Sequence, residues 1–237
     1  MLEGKVIVVV GGASGIGRAT AEMCVKRGAR VVIADYAAAQ GEATAKECGA
    51  GFVLVNVADE SSVQKMAAEV EAKHGRIDAL IQTAGILKGP FVDIEKFELD
   101  MFREVLDINV IGSFLCAKHF APLMKRGGGG VIVLISSGAA YQGSSSYAYG
   151  TSKGGVSALG ITMANKLGPD NIRVNVVAPG NIATPMKLSV VEADIARSGP
   201  SASQAQLSLG TPEGMARILA WLVSDEADYV RGVIHTR

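Results

Sequence analysis

Short, uninterrupted runs of apolar residues alternate along the chain with stretches of helical length. The runs are Val6–Val10, Val31–Ala34, Phe52–Val55, Ala79–Ile81, Val131–Ile135 and Val174–Ala178. Strands buried on both faces have such continuous runs, because helices cover both sides of a parallel sheet. The stretches of helical length are about residues 15–28, 39–49, 60–74, 98–126 and 149–168. This order predicts an α/β fold, a doubly wound parallel sheet of about seven strands in a three-layer α/β/α arrangement.

The alternation continues to the last residues, with a helical stretch at about 212–224 and a short strand near 232–235. No Pro/Ser-rich linker and no internal repeat interrupts it. A length of 237 residues is ordinary for one α/β domain. We therefore expect residues 1–237 to form a single domain. Gly127–Gly130 looks like a phosphate loop, but it follows a helical stretch and precedes a strand, which favours a helix end and a turn.

Charge balance and cysteine spacing exclude several classes of protein. Lys and Arg together number 23, as do Asp and Glu, so the basic excess typical of a nucleic-acid binder is missing. The apolar runs are far shorter than the ~20 residues that span a bilayer. The first residues lack the features of a secretory signal, and the cysteines and histidines are too scattered for a metal site. We expect a cytoplasmic protein that binds no metal, membrane or nucleic acid.

A glycine-rich segment, Gly11–Gly17, lies between the first predicted strand and the first helix. Glycines here let the backbone turn sharply and approach a pyrophosphate, which the helix N-terminus can then bind. Asp35 ends the second strand 18 residues past Gly17, where an acidic residue accepts hydrogen bonds from an adenosine ribose. This context predicts a dinucleotide-binding Rossmann fold.

Asp35 also favours NAD over NADP, because its carboxylate would repel the 2′-phosphate of NADP. The following residue is Tyr36, so no arginine stands there to pair with a phosphate. Arg18 could in principle reach a phosphate, but an arginine on a helix surface is the commoner explanation.

A second cluster of polar residues contains Tyr149 and Lys153, which share one face of a predicted helix. A tyrosine hydroxyl can exchange a proton with a carbonyl oxygen, but its ordinary pKa near ~10 makes it a poor base at neutral pH. A cation one turn away should stabilise the phenolate and lower that pKa. Ser136 and Ser137 follow the strand Val131–Ile135, at the carboxyl end where a ligand should bind.

Taken together, these motifs resemble those of the short-chain dehydrogenase/reductase family, in its compact single-domain branch of 3-oxoacyl-ACP reductases and hydroxysteroid dehydrogenases. The resemblance runs from Leu2 to Val233. The family's TGxxxGxG motif matches Val10–Gly17, and its NNAG motif matches Gln82–Gly85. Its adenine-contacting Asp-Val pair matches Asn56-Val57, and its helix asparagine matches Asn109. Its serine matches Ser137, its YxxxK motif matches Tyr149 and Lys153, and its PG motif matches Pro179-Gly180.

The resemblance implies an oxidoreductase that transfers hydride between NAD and a secondary alcohol or ketone. It implies that Tyr149 is the acid/base and that Lys153 lowers the pKa of Tyr149 and holds ribose hydroxyls of the cofactor. It also implies that Ser137 orients the substrate oxygen and that Asn109 positions a water molecule in a proton relay. The implied cofactor-binding residues are Gly11, Ser14, Gly15, Ile16, Gly17, Asp35, Asn56, Val57, Ala84, Gly85, Tyr149, Lys153, Pro179, Gly180, Ile182 and Thr184. It also implies a homo-oligomer, a dimer or tetramer built on the helices near 98–126 and 149–168.

The chain departs from the family pattern at several positions. Val10 lacks the hydroxyl that ties the glycine turn to the sheet, Gln82-Thr83 replaces Asn-Asn, and Asn56 replaces Asp while keeping an acceptor for adenine. The interval from Ser137 to Tyr149 is one residue shorter than usual, which predicts a shortened loop at about 142–146. The chain also ends before the family's usual C-terminal tail, which bears mainly on oligomer contacts.

Two other functions stay open at this point: a cofactor-retaining epimerase or dehydratase, and a cofactor-binding regulator without activity. The first usually carries an added substrate domain, for which 237 residues leave no room. The second has no need for the full set of Asn109, Ser137, Tyr149 and Lys153. Substrate choice should depend on residues 87–97, 138–147 and 185–210, the last of which has weak periodicity and predicts a mobile loop or lid. The substrate itself is left open.

Overall fold

The computed structural model describes residues 2–199 and 209–236, and strand and helix alternate through both ranges. The strands are β1 (Val6–Val10), β2 (Arg30–Asp35), β3 (Gly51–Leu54), β4 (Ala79–Gln82), β5 (Gly130–Ile135), β6 (Ile172–Ala178) and β7 (Gly232–His235). The α-helices are α1 (Gly15–Lys26), α2 (Ala38–Cys48), α3 (Glu60–His74), α4 (Leu99–Leu106), α5 (Gly112–Arg126), α6 (Ala139–Gln142), α7 (Tyr147–Leu167), α8 (Pro185–Ser198) and α9 (Pro212–Leu222).

Within the described residues, the seven strands form one parallel sheet in the order β3-β2-β1-β4-β5-β6-β7. This confirms the predicted doubly wound sheet. The continuous apolar runs reflect burial on both faces: Val8 and Val10 of β1 enter one core, whereas Ile7 and Val9 enter the other. Every residue of β1 is buried.

The strand order reverses between β1 and β4, because the chain winds outward from β1 in one direction and from β4 in the other. Ligands of open α/β sheets bind at this switch point, beyond the carboxyl ends of the strands. The loops that follow β1, β4 and β5 all leave the sheet on that side, so the fold brings the glycine segment and the Ser137 segment together.

Two predicted elements differ from the structure. The helical stretch at 98–126 is divided into α4 and α5 by a π-helical turn at Asp107–Ile111, which includes Asn109. The segment 185–210 was expected to be a mobile loop or lid, but its first part is the helix α8. Thr184 caps that helix, Pro185 occupies its first turn and Val190 and Val191 are buried, which stabilises a helix despite the many polar residues. The rest of the predicted loop, residues 200–208, lies outside the described residues.

Candidate active site

A cleft of about 1280 Å³ lies at the carboxyl ends of the strands. Its lining includes the cofactor-binding positions expected from the sequence: Gly11, Ser14, Gly15, Ile16, Gly17, Asp35, Asn56, Val57, Ala84, Gly85, Tyr149, Lys153, Pro179, Gly180, Ile182 and Thr184. Ser137 lines the same cleft. Asn109 is buried behind it, in the π-helical turn. The structure therefore brings the expected residues into one region.

The glycine segment forms a cradle that side chains would fill. Gly11 has a φ of +82°, and a Cβ atom there would lie 2.4 Å from the backbone nitrogen of Ala84. A Cβ atom on Gly17 would lie 2.1 Å from the carbonyl oxygen of Gly11. The Ser14 side chain does not cap α1, so the first-turn N–H groups of this helix remain available for an anion.

Thr83 compensates for the valine at position 10. Its hydroxyl donates to the carbonyl oxygen of Val10 at 2.7 Å, and the Thr83 backbone N–H donates to the same oxygen at 2.8 Å. The tie between the glycine turn and the sheet thus comes from the residue after β4 instead of from β1. The neighbouring Gln82 side chain is buried, and its amide has no hydrogen-bond partner among the described residues.

Asp35 holds the glycine segment against β2. Its Oδ2 accepts from the backbone N–H of Ala13 at 2.9 Å, and its Oδ1 accepts from that of Ala37 at 3.0 Å. Each carboxylate oxygen has a second lone pair, so Asp35 can still accept hydrogen bonds from ribose hydroxyls. Asn56 is similarly engaged: its Oδ1 accepts from the backbone N–H of Ala58 at 3.1 Å, which fixes the turn after β3.

Arg18 is occupied by two carboxylates. Its guanidinium pairs with Glu22 at 2.9 Å and with Glu47 at 2.8 Å. Both partners raise the pKa of Arg18 and neutralise its charge locally. The helix-surface explanation of Arg18 therefore fits the geometry better than a phosphate contact does.

Three successive residues at the end of β5 fix the helix that carries Tyr149. The carbonyl oxygen of Ile135 accepts from Lys153 Nζ at 2.8 Å. The Ser136 hydroxyl donates to the backbone carbonyl of Lys153 at 2.8 Å, and the Ser137 side chain lies near the Tyr149 hydroxyl, whose pKa it lowers. Ser137, and not Ser136, therefore faces Tyr149.

Burial governs the proton affinities of Tyr149 and Lys153. It raises the pKa of Tyr149 above its ordinary value, and the smaller opposing effect comes from Ser137. The net shift of the Tyr149 pKa is therefore opposite in direction to the one expected from Lys153, whose own effect on that pKa stays a prediction. Lys153 Nζ lies 5.6 Å from the centre of the tyrosine ring and is directed to the carbonyl of Ile135. Burial also lowers the pKa of Lys153 to about 8.

Asn109 joins the loop after β4 to α7. Its Oδ1 accepts from the backbone N–H of Ile86 at 2.8 Å, and its Nδ2 donates to Ile86 O and to Ser152 Oγ, both at 2.9 Å. Ser152 Oγ in turn donates to the backbone carbonyl of Tyr149 at 2.8 Å. Both N–H bonds of the Asn109 amide are thus used within the protein. A role for Asn109 in a water relay stays a prediction.

Sequence reasoning missed Ser152 and a buried chain of hydroxyl groups behind the helix α7. Tyr141 Oη donates to Ser157 Oγ at 2.8 Å, and Ser157 Oγ lies 2.8 Å from Ser136 Oγ. Ser152 could have been noticed, because it lies one turn after Tyr149. Nothing in the local pattern could reveal the Tyr141–Ser157 bond, since α6 and its contact with α7 were not predicted.

The buried charge of Lys153 leads to a stability prediction. With its pKa lowered from 10.5 to about 8, the ammonium group costs the folded state on the order of 3 kcal/mol at neutral pH. Replacing Lys153 with Met keeps the volume and removes the charge, but it loses the bond to Ile135. We expect the free energy of unfolding to rise by about 1–3 kcal/mol at pH 7 in chemical denaturation without cofactor.

The increase in the free energy of unfolding caused by Lys153→Met should shrink as the pH rises from about 8 towards 10.5. In this range Lys153 loses its proton in the folded protein but keeps it in the unfolded protein. A gain that is constant between pH 7 and 10.5 would contradict this explanation. Lys166→Met, at the end of α7, provides the control and should leave the pH dependence unchanged.

Other kinds of site are not found in the part of the chain that the structure describes. No group of three or more His, Cys, Asp or Glu residues there could hold a metal ion. The three cysteines, Cys24, Cys48 and Cys116, are unpaired. None of the described helices has both the length and the apolar composition needed to cross a bilayer.

Comparisons with known proteins match nearly the whole chain. A family model described as enoyl-(acyl carrier protein) reductase matches residues 11–236. The cis-4-hydroxycyclohexanecarboxylate dehydrogenase of Sinomonas cyclohexanicum is 38% identical, over 97% of this chain and 93% of that protein. The 3α-hydroxysteroid dehydrogenase of Mediterraneibacter gnavus is 34% identical, over 99% and 95%. A crystal structure of levodione reductase superposes with a TM-score of 0.93 at 29% identity, covering 99% of this chain and 96% of that one.

Proposed function

The chain belongs to the short-chain dehydrogenase/reductase family, and from this premise we propose that it interconverts a secondary alcohol and its ketone with NAD, using Tyr149 as the acid/base. The family's members are oxidoreductases that act on CH–OH groups with a nicotinamide cofactor. The observation that carries the finer proposal is the joint placement of Ser137, Tyr149 and Lys153 beside the glycine cradle in one cleft.

The cleft fits a dinucleotide. Cβ atoms at Gly11 and Gly17 would fill the space against Ala84 and the Gly11 carbonyl, so the cradle requires glycine at both positions. The uncapped start of α1 suits a pyrophosphate, and Asp35 ends β2 with lone pairs free for ribose hydroxyls. We propose that the residues from Gly11 to Gly17 hold the pyrophosphate and that Lys153 and Tyr149 lie at the nicotinamide end.

The chemistry of oxidation then divides between cofactor and protein. A bound nicotinamide supplies the acceptor for the hydride that leaves the carbinol carbon. Tyr149, as phenolate, takes the hydroxyl proton, and Ser137 donates a hydrogen bond that holds the substrate oxygen. Lys153, as ammonium, stabilises the phenolate and can bind ribose hydroxyls. In reduction the neutral Tyr149 returns the proton to the oxygen of the ketone.

Charge around the adenosine end supports NAD over NADP. Asp35 ends β2, where an adenosine ribose is expected, so its carboxylate would repel a 2′-phosphate, and Arg18, the phosphate partner considered from the sequence, is paired with Glu22 and Glu47. We propose NAD as the physiological cofactor.

Replacing Asp35 with Asn should lower the preference for NAD. We expect the ratio of kcat/KM values, NAD over NADP, to fall by about tenfold to a hundredfold, because a like-charge repulsion at short range is removed. The ratio is insensitive to a general loss of stability, which would affect both cofactors equally. Asp170→Asn, at the opposite end of the sheet, should leave the ratio unchanged. Equal kcat/KM values for NAD and NADP in the unmodified protein would refute the cofactor assignment.

Assembly, domain organisation and location are also proposals. Ile111, Phe114 and Ile161 are 45%, 45% and 48% exposed on the surface of the π-helical turn, α5 and α7, which supports a dimer or tetramer built on these helices. Residues 1–237 are proposed to form one domain. The unpaired cysteines support a reducing compartment, which we propose to be the cytoplasm. Light scattering would measure the oligomeric state, and a monomer would refute the first of these proposals.

A further inference from the structure

Phe91 has an unusual backbone for a bulky residue. Its φ is +64°, and the other non-glycine residue with positive φ among those described is Asn171, a type that tolerates this region far better. The Phe91 N–H donates to the carbonyl oxygen of Ser145 at 2.7 Å. This bond ties the loop after β4 to the segment just before Ser146, which caps α7 at Tyr149. Strain of this kind persists only where the surroundings enforce it, and it concentrates at functional sites.

The ring of Phe91 also meets the helix that covers the cleft. The Arg197 guanidinium of α8 lies over the ring, 4.6 Å from its centre, and Asp194 accepts from Arg197 at 3.0 Å. A guanidinium over an aromatic face is attracted by the ring quadrupole. Three segments of the chain therefore converge on one residue, Phe91: the loop after β4, the segment before α7, and α8.

Apolar side chains continue the wall that Phe91 begins. The residues of this wall, all of which line the cleft, are Leu87, Phe91, Met186, Val190 and Val191. Polar groups such as Gln142 and Ser144 also line the cleft. A polyol packed on the apolar wall would leave hydroxyls without partners, which costs binding energy, whereas a bulky apolar group would bury apolar surface there.

We propose that Phe91 determines substrate specificity, by forming a fixed wall that selects secondary alcohols with bulky apolar groups on the carbinol carbon. The inference rests on the proposed alcohol dehydrogenase activity and deepens it by naming the substrate class. Phe91 lines the cleft, and its contacts with Ser145 and Arg197 hold it in place. Phe91 acts on binding of the substrate and takes no part in proton transfer.

Two substitutions at Phe91 distinguish the effect of losing the ring from the effect of relieving the backbone strain. Phe91→Ala removes the ring and keeps the strain, whereas Phe91→Gly removes the ring and relieves the strain. The probes are cyclohexanol and propan-2-ol, which is too small to reach the whole wall. With NAD, both variants should lose about tenfold to a hundredfold in kcat/KM for cyclohexanol and change little for propan-2-ol. NAD affinity should be unchanged, and Phe91→Gly should not unfold at a lower temperature than Phe91→Ala.

Phe102→Ala is the matched control, because Phe102 packs against Phe97 and does not line the cleft. It should leave the ratio between the two alcohols unchanged. Equal losses for both alcohols in the Phe91 variants, or no loss for either, would overturn the specificity role while leaving the dehydrogenase proposal intact. Failure of the unmodified protein to oxidise any secondary alcohol with either cofactor would overturn both proposals.

Discussion

Replacing Tyr149 with Phe should lower kcat by about 10²–10⁴-fold, the usual contribution of a positioned acid/base. The substitution removes only the hydroxyl near Ser137, and the ring can stay where Lys153 Nζ now lies 5.6 Å from its centre. The glycine cradle and Asp35 are untouched, so NAD affinity should remain near that of the unmodified protein. Steady-state kinetics and calorimetric titration with NADH would measure the two effects separately.

Tyr147→Phe provides the matched control. Tyr147 lies two residues before Tyr149, is 46% exposed and packs edge-on against Phe97, away from the Ser137 hydroxyl. It should retain nearly all activity. Substantial activity in Tyr149→Phe, or an equal loss in the two variants, would be incompatible with Tyr149 as the acid/base.

The pH dependence should follow the direction of the Tyr149 shift. Because burial raises the pKa of Tyr149, the neutral phenol dominates at neutral pH. Oxidation needs the phenolate, so its kcat/KM should increase with pH into the alkaline range, whereas reduction needs the phenol and should decline there. Tyr149→Phe should lose both dependences. Oxidation that is independent of pH between 7 and 10 would contradict this assignment, provided that hydride transfer limits the rate.

Replacing Gly17 with Ala should strongly weaken cofactor binding. The new Cβ atom would lie 2.1 Å from the carbonyl oxygen of Gly11 and 2.5 Å from Thr83 Oγ1, so α1 must shift away from the glycine turn. We expect Kd for NADH to rise by about a hundredfold or more, since a shift on the order of 1 Å at a preorganised site has effects of this size. Overpacking should also lower the free energy of unfolding by about 1–3 kcal/mol.

Gly154→Ala, in α7, is the control for Gly17→Ala. A Cβ atom there meets nothing within 4 Å, and alanine is a better helix former than glycine. This variant should keep NADH affinity and be as stable as the unmodified protein or slightly more stable. If Gly17→Ala binds NADH with unchanged affinity, the pyrophosphate does not lie at the start of α1 and the cradle has another role.

The sheet and the general position of the site were predictable, because both depend on local patterns. Continuous apolar runs such as Val6–Val10 record burial on both faces, and the glycine segment and Tyr149 each follow a strand whose direction the alternation determines. The carboxyl ends of parallel strands meet at one edge of the sheet, so the sequence alone predicts that residues distant along the chain lie together there.

Features that depend on tertiary contacts could not be predicted from sequence patterns. The hydroxyl of Thr83 replaces a tie lost at Val10, but this is visible only when β4 is known to lie beside β1. The Tyr149 pKa was expected to fall because the helix spacing shows Lys153 but not the burial of both groups. The helix α8 depends on the burial of Val190 and Val191, and its polar sequence alone suggested a loop.

The measurement that tests the central claim most directly follows the hydrogen of the carbinol carbon. Cyclohexanol deuterated at that carbon would be mixed with NAD and the protein, and the products would be analysed by mass spectrometry. We predict deuterated NADH and cyclohexanone in equal amounts, with no deuterium released to water, and formation of both products at least about a hundredfold slower with Tyr149→Phe. Binding of NADH without formation of either product, for this and other secondary alcohols, would contradict the account and indicate a cofactor-binding protein without dehydrogenase activity.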